Sequence, residues 1–290
     1  MFDNQKIAFI GPGVMGEAMI AGLIRQNVAQ PTEMVASGPS VERGDELKNR
    51  YGIKTMTDNA AAASMADVVV LSVKPQRLDT VLVGMQGSIQ PDALVLSIVA
   101  GAPIAKISGI LQHESVVRSM PNTPAQIGKG ITVWTAAPAV TSDQKEMAQK
   151  ILAALGDEIF LEEEYYLNMA TALSGTGPAY VFLFMEAMVD AGVHLGFPRR
   201  VAEKLVEQTV RGSVDFYTRS ADPVHLARLR NQVTSPGGTS AAALYYLEKA
   251  GFRTAISRAV WAAYERSREL GKDARAHWPE NVSSDDANRA

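Results

Sequence analysis

The sequence predicts an α/β domain built on a parallel sheet, followed by an all-α domain. Up to about Leu161, short β-branched apolar runs alternate with amphipathic stretches; beyond Glu162 those runs give way to alanine-rich segments at helical spacing. The length, 290 residues, adds a third observation, because one hydrophobic core seldom organises so long a chain. The expected strands are Ile7 to Ile10, Met34 to Ala36, Val68 to Leu71, Ala93 to Leu96 and Val116-Val117. Their near-continuous apolarity implies a sheet covered on both faces, with ligands at the carboxyl ends of its strands. The expected helices of the second half are Ala179 to Leu195, Arg199 to Tyr217, Ser240 to Ala250 and Phe252 to Leu270, punctuated by Gly196, Pro198, Pro223, Pro236 and Gly251. The domains are thus 1–162 and 163–270, with the boundary at Glu162 to Glu164. A polar tail, 271–290, has no apolar periodicity and is expected to be disordered.

Composition excludes several chemistries. With 28 basic and 31 acidic side chains, the net charge of −3 supplies no field favouring nucleic acid or anionic lipid. There is no cysteine, and the four histidines lack metal-ligand spacing, so no metal site is expected. Met1 to Lys6 is polar, and no apolar run reaches membrane-spanning length, which makes a cytoplasmic protein the expectation.

Gly11-Pro12-Gly13-Val14-Met15-Gly16 directly follows the first strand and opens an amphipathic helix containing Met19, Ile20, Leu23 and Ile24. This is the setting of a dinucleotide fingerprint and makes the first domain Rossmann-type. Gly11 permits the tight turn, Gly13 lets a pyrophosphate approach the backbone, and Gly16 lets the helix pack on the strand. The helix amino terminus, at Val14, Met15 and Gly16, offers unpaired N–H groups to the anion. The bland alternative, a glycine-rich turn without ligand, explains the three glycines less well.

NAD preference normally shows as a carboxylate at the end of the second strand, some 20 residues on. Here that strand ends in Ser37-Gly38-Pro39-Ser40, followed by Arg43. Hydroxyls and a guanidinium accommodate a 2′-phosphate, so NADP(H) is favoured and NAD(H) allowed; Arg43 is alternatively a solvated helix charge. Val73-Lys74-Pro75 and Ala100-Gly101 close two further strands at the same sheet edge. Lys74 is either a ligand contact or an ordinary exposed lysine, and Pro75 also suits a helix start.

In the helical half, Ser235-Pro236-Gly237-Gly238-Thr239-Ser240 precedes a helix and forms a second anion trap. Capping by Thr239 or Ser240 is the competing reading, but capping alone does not require Gly237 and Gly238 together. Leu173 to Tyr180 brings small residues, including Ser174, to the start of a long apolar helix, as a packing contact or a ligand contact. Met185 and Met188 fall at core or dimer-interface spacing, and Arg199-Arg200 reads as a solvated helix start.

Five strings occur in order: G-x-G-x-M-G at Gly11 to Gly16, V-K-P at Val73 to Pro75, M-P-N-T-P at Met120 to Pro124, L-S-G-x-G-P-A-Y at Leu173 to Tyr180, and V-x-S-P-G-G-T at Val233 to Thr239. In these the chain resembles the pyrroline-5-carboxylate reductase family, from Lys6 to about Leu270. The resemblance implies NAD(P)H-dependent reduction of 1-pyrroline-5-carboxylate to L-proline, a homodimer formed by the helical domain, often a larger ring of dimers, and Asn59, Ala100 and Asn122 beside the cofactor. The family pattern carries a threonine where this chain has Ser240, an acidic residue near Asn231 and a serine near Gly38. The alternatives are a reductase of another cyclic imine carboxylate on the same fold, a non-catalytic NADPH-binding scaffold, and a β-hydroxyacid dehydrogenase with a similar two-domain plan. The intact Ser235 to Ser240 loop argues against the scaffold, and the dehydrogenase normally employs a lysine on its first interdomain helix, where Leu173 to Asp190 has none. A cyclic imine is protonated near neutral pH and accepts hydride directly, so catalysis is mainly placement. Thr239 and Ser240 are expected to orient imine and carboxylate, with Ser235, Gly237 and Gly238 completing the anion pocket.

Overall fold

The computed structural model describes residues 5–219 and 225–271; the expected tail beyond Gly271, Pro223 and the start of the chain through Asn4 lie outside the described residues. The described chain divides into two compact units, 5–176 with 263–271, and 177–219 with 225–262.

The first unit holds β1 (Ile7–Ile10), α1 (Val14–Arg25), β2 (Met34–Ser37), α2 (Val41–Tyr51), β3 (Lys54–Met56), α3 (Asn59–Ala63), β4 (Val68–Leu71), α4 (Leu78–Gly84), β5 (Leu94–Ser97), α5 (Ile104–Leu111), β6 (Val116–Met120), β7 (Gly130–Ala136), α6 (Ser142–Ala153), β8 (Gly156–Phe160) and α7 (Tyr166–Ala170). The sheet order is β3-β2-β1-β4-β5-β6-β7-β8. Strands β1 to β6 pair in parallel, with Ile7 opposite both Met34 and Val68. The order reverses beside β1, which makes the β1/β4 crevice the topological switch point.

One departure from an all-parallel sheet is β7, which returns antiparallel to β6 and then takes β8 as a parallel neighbour. Every residue of β1, β4 and β5 is buried, as expected for strands covered on both faces. Two apolar clusters flank the sheet: Phe9, Met19, Leu23, Val70 and Ile151 belong to one, and Ile10, Leu71, Leu82, Val95 and Ile107 to the other. The expected domain boundary at Glu162 to Glu164 opens α7, yet α7 stays with the sheet. Leu167 and Ala170 pack on Val133. The buried Arg118 guanidinium donates to Glu164 at 2.7 Å and Asn168 at 3.1 Å, and Ser267 donates to the same Asn168 oxygen at 3.2 Å.

The second unit contains α8 (Gly177–His194), α9 (Arg199–Thr218), α10 (Leu226–Gln232), α11 (Thr239–Lys249) and most of α12 (Phe252–Gly271), whose last turns belong to the first unit. Helices α8 and α9 pack around Val189, Ala202 and Val206, with Met185 partly buried against them. Arg199, expected as a solvated helix start, pairs with Asp190 at 2.8 Å across the α8–α9 turn. Much of this unit's apolar surface is uncovered: Phe182, Leu183, Leu195, Phe216, Tyr245 and Tyr246 are all exposed. The helical stretch Tyr166–His194 is long and apolar enough to cross a membrane, which corrects the expectation that no run reaches that length. Ser174, Gly175 and Thr176 interrupt the apolar run in the sequence, but a π-helical turn, Thr171–Gly175, carries the chain through them.

Candidate functional site

The carboxyl edge of the sheet gathers the residues expected around a dinucleotide. Gly11 leaves β1 with φ of +76°, and a Cβ there would lie 2.3 Å from Cγ1 of Val73. The turn therefore needs glycine twice over, for its left-handed backbone and for the close approach of the loop after β4. Ser72 supports the same turn from below, donating to the carbonyls of Ile10 at 3.1 Å and Gly11 at 3.0 Å. A Cβ on Gly16 would meet the Ser72 hydroxyl at 2.7 Å, so this glycine lets α1 settle onto the strand.

Gly13 is different. It is the N-cap of α1 in extended backbone, with no side-chain cap, and its nearest neighbour to an added Cβ is a carbonyl 3.9 Å away. The space in front of it and the uncapped first amides of α1 fit a diphosphate, whose charge the helix N-terminus favours. Val14 is 65 % exposed over this opening, while Met15 packs inward against the core.

Beside the loop lies a cleft of about 220 Å³, lined by Pro12, Gly13, Gly38, Ser40, Arg43 and neighbours. No carboxylate stands at the end of β2. Ser37 is fully buried there and donates to Asn59 Oδ1 at 2.7 Å, which joins two of the expected cofactor residues. A Cβ on Gly38 would press on Pro12 at 3.3 Å, so this glycine lets the loop after β2 approach the Gly11 turn closely.

Arg43 neither stands free nor points simply into solvent. It donates to Glu17, to Glu46 at 2.9 Å and to the Pro12 carbonyl at 3.3 Å. Glu17 also receives Arg50 and the Tyr51 hydroxyl, the latter at 2.8 Å. Burial pushes the Glu17 carboxyl up, but the bonds from Arg43 and Tyr51 and the adjacent guanidinium charges outweigh it and hold the group below the ordinary glutamate value. Burial and the Glu17 charge together push the Tyr51 hydroxyl up.

The remaining sheet-edge residues divide. Lys74 is exposed and Pro75 begins a short 3₁₀ turn, while Ala100 follows β5 at the same edge. Asn122 is buried, with its amide donating to the Ser174 carbonyl at 3.2 Å and its oxygen accepting from the Ile131 amide at 3.0 Å. Both ends of that side chain hold the turn from β6 to β7 against the π-helical segment. The Ser174 hydroxyl donates back to the Ala170 carbonyl at 3.0 Å.

In the second unit the Ser235 to Ser240 loop is open. Gly237 has φ of +70° and nothing within 4 Å of an added Cβ. Gly238 is the N-cap of α11, again without a side-chain cap, and its amide turns back to the Ser235 carbonyl at 3.0 Å. Thr239 is therefore the first helical residue, and neither it nor Ser240 caps its own helix. The two glycine loops share one chemistry: a helix N-terminus whose first donors no side chain satisfies.

Sequence reasoning missed Glu17, Ser72 and Pro12. Ser72 had a local signal, adjoining V-K-P at a strand end; Glu17 had none, because its partners come from α2.

Comparison with known proteins follows the same two-part division. Residues 164–270 match the family described as pyrroline-5-carboxylate reductase dimerisation, and residues 6–101 match the one described as NADP oxidoreductase coenzyme F420-dependent. The pyrroline-5-carboxylate reductase of Synechocystis is 42 % identical over 267 residues, covering 92 % of this chain and 98 % of that protein. The crystal structure of Plasmodium falciparum pyrroline carboxylate reductase with NADP bound superposes with a TM-score of 0.85 at 34 % identity, covering 93 % of this chain and 100 % of that one. A Coxiella burnetii pyrroline-5-carboxylate reductase gives a TM-score of 0.82 at 36 % identity over 92 % of this chain and 99 % of that one. With relatives matched along nearly their whole lengths, the chain belongs to the pyrroline-5-carboxylate reductase family.

Proposed function

We propose that the chain reduces 1-pyrroline-5-carboxylate to L-proline, the last step of proline biosynthesis, with NADP(H) as the favoured cofactor and NAD(H) also accepted. The observation that carries this reading is the pair of uncapped, glycine-led helix N-termini, α1 in one unit and α11 in the other, in a chain whose relatives bear that enzyme's name.

The bound cofactor supplies the hydride. Gly11, Gly13 and the amides of Val14, Met15 and Gly16 would hold its diphosphate, Ser37, Asn59 and Arg43 would meet the adenosine ribose, and Val73, Lys74, Pro75, Ala100 and Asn122 would border the rest. In the second unit Ser235 and Gly237 would offer a hydroxyl and an amide to the substrate carboxylate, Gly238, its own amide held by the Ser235 carbonyl, would allow close approach, and Thr239 and Ser240 would orient the imine. Ser174 lines the substrate region. The imine is protonated before transfer, so the chain needs no strongly acidic side chain. Among the described residues no group of metal-binding side chains occurs, and the mechanism uses none.

The homodimer is the working unit, built through 163–270 and extended to rings of dimers. Its formation buries the apolar surface of α8 and assigns that surface to a protein partner rather than a lipid one. The net charge of −3 supplies no field favouring nucleic acid or anionic lipid, which supports the reading of a cytoplasmic enzyme without those partners.

Purified protein mixed with NADPH and 1-pyrroline-5-carboxylate tests the assignment, beside NADH and the six-membered homologue. Rapid NADPH oxidation with the five-membered ring supports it; intact NADPH binding without turnover of that ring contradicts the substrate.

A further inference from the structure

Arg43 alone is charged among the residues lining the cleft beside the glycine loop, and three of its five N–H groups are engaged by Glu17, Glu46 and Pro12. One N–H on each terminal nitrogen remains for a ligand. The two carboxylates holding it are not equivalent. The Glu46 side chain is 60 % exposed and lies one turn along the same helix, an ion pair that solvent largely screens. The Glu17 side chain is 16 % exposed, sits in the first turn of α1 beside the diphosphate-binding amides, and also gathers Arg50 and Tyr51.

We propose that Glu17 sets cofactor selectivity: it tethers the Arg43 guanidinium at the cleft and competes there with the 2′-phosphate that separates NADPH from NADH. The proposal rests on the reading that Arg43 meets that phosphate. A carboxylate and a phosphate sharing one guanidinium repel each other, and the partly buried position of Glu17 weakens the screening that would erase the effect. The chain consequently favours NADPH less strongly than its basic cleft alone would dictate, and NADH, which carries no 2′-phosphate, escapes the penalty. Glu17 is a positioning residue, acting through Arg43 with no contact to the reacting atoms.

Calorimetric titration with 2′,5′-ADP and with 5′-AMP, which differ only in the 2′-phosphate, separates these effects from catalysis. Glu17→Gln keeps the length and an acceptor for Tyr51 while removing the charge. It is expected to tighten 2′,5′-ADP about tenfold, change 5′-AMP much less, and lose that gain in an Arg43→Ala background. Glu17→Ala serves the same comparison if the glutamine variant does not fold. Weaker or unchanged 2′,5′-ADP binding in the Glu17 variant, or an equal shift for both probes, overturns the proposal, provided Arg43→Ala alone weakens 2′,5′-ADP. If Arg43→Ala leaves 2′,5′-ADP binding unchanged, the reading that Arg43 meets the phosphate fails first, and the role of Glu17 falls with it.

Discussion

The two glycine loops sit in very different surroundings. Around Gly11 the first unit is closed: Val73 presses on the turn, Ser72 holds its carbonyls, and the strands on either side are fully buried. An added Cβ on Gly237 would meet nothing within 4 Å, and elsewhere in the same unit α8 exposes Phe182 and Leu183 at 64 % and 66 %. One glycine loop is thus fully framed within a single chain. The other belongs to a unit whose apolar surface is left for self-association, as its match to a dimerisation family indicates. Stability and ligand binding in the first unit should therefore be insensitive to oligomeric state, whereas the second unit's should follow it.

Breaking the second half of that contrast should give the largest effect. Phe182→Glu combined with Leu183→Glu places charges where apolar surface is buried on pairing, and is expected to weaken self-association by about a thousandfold or more, leaving monomers in light scattering. NADPH titration of that monomer should still report a folded cofactor site. Next comes Gly13→Ala. Its backbone is extended and the added methyl meets no protein atom closer than 3.9 Å, so the melting temperature should hold while NADPH affinity falls about a hundredfold. A matching fall in melting temperature would mean that Gly13 is structural, like Gly11.

Ser240→Ala, in the open loop, should lower kcat/KM by about one to two powers of ten. The smallest effect concerns acid stability of the first unit. Glu17 titrates below its ordinary value in the folded chain, so its contribution is fully present above the unfolded glutamate pKa and is lost as pH falls through the lower folded one. Thermal melts of Glu17→Gln should therefore show a shallower loss of stability across that acid window than the parent chain; parallel curves would contradict the assigned ion cluster.

Legibility in the sequence tracked burial. Strands β1, β2, β4, β5 and the start of β6 are apolar runs because both faces are covered, and their positions follow from composition alone. Strand β3, Lys54–Met56, and strand β8, Gly156–Phe160, are edge strands with exposed residues and carry no such run. Strand β7 alternates threonine with Ile131, Val133 and Trp134, and no local signal fixes its antiparallel direction. Both glycine loops were readable because each places glycine before a helix start. The pairing of Glu17 with Arg43 joins α1 to α2 across 26 positions of sequence, and the bonding of Asn122 to Ser174 spans 52. Only the folded chain brings such partners together, and no spacing rule reaches that far.

The central claim is a division of labour, cofactor at the Gly11 loop and substrate at the Ser235 to Ser240 loop. Measuring NADPH affinity by fluorescence titration and kcat/KM for 1-pyrroline-5-carboxylate on the same Ser240→Ala preparation tests it most directly. The expected result is an NADPH Kd within about twofold of the parent chain alongside a kcat/KM lowered at least about tenfold. An unchanged kcat/KM, or a Kd that moves in parallel with it, would contradict the division.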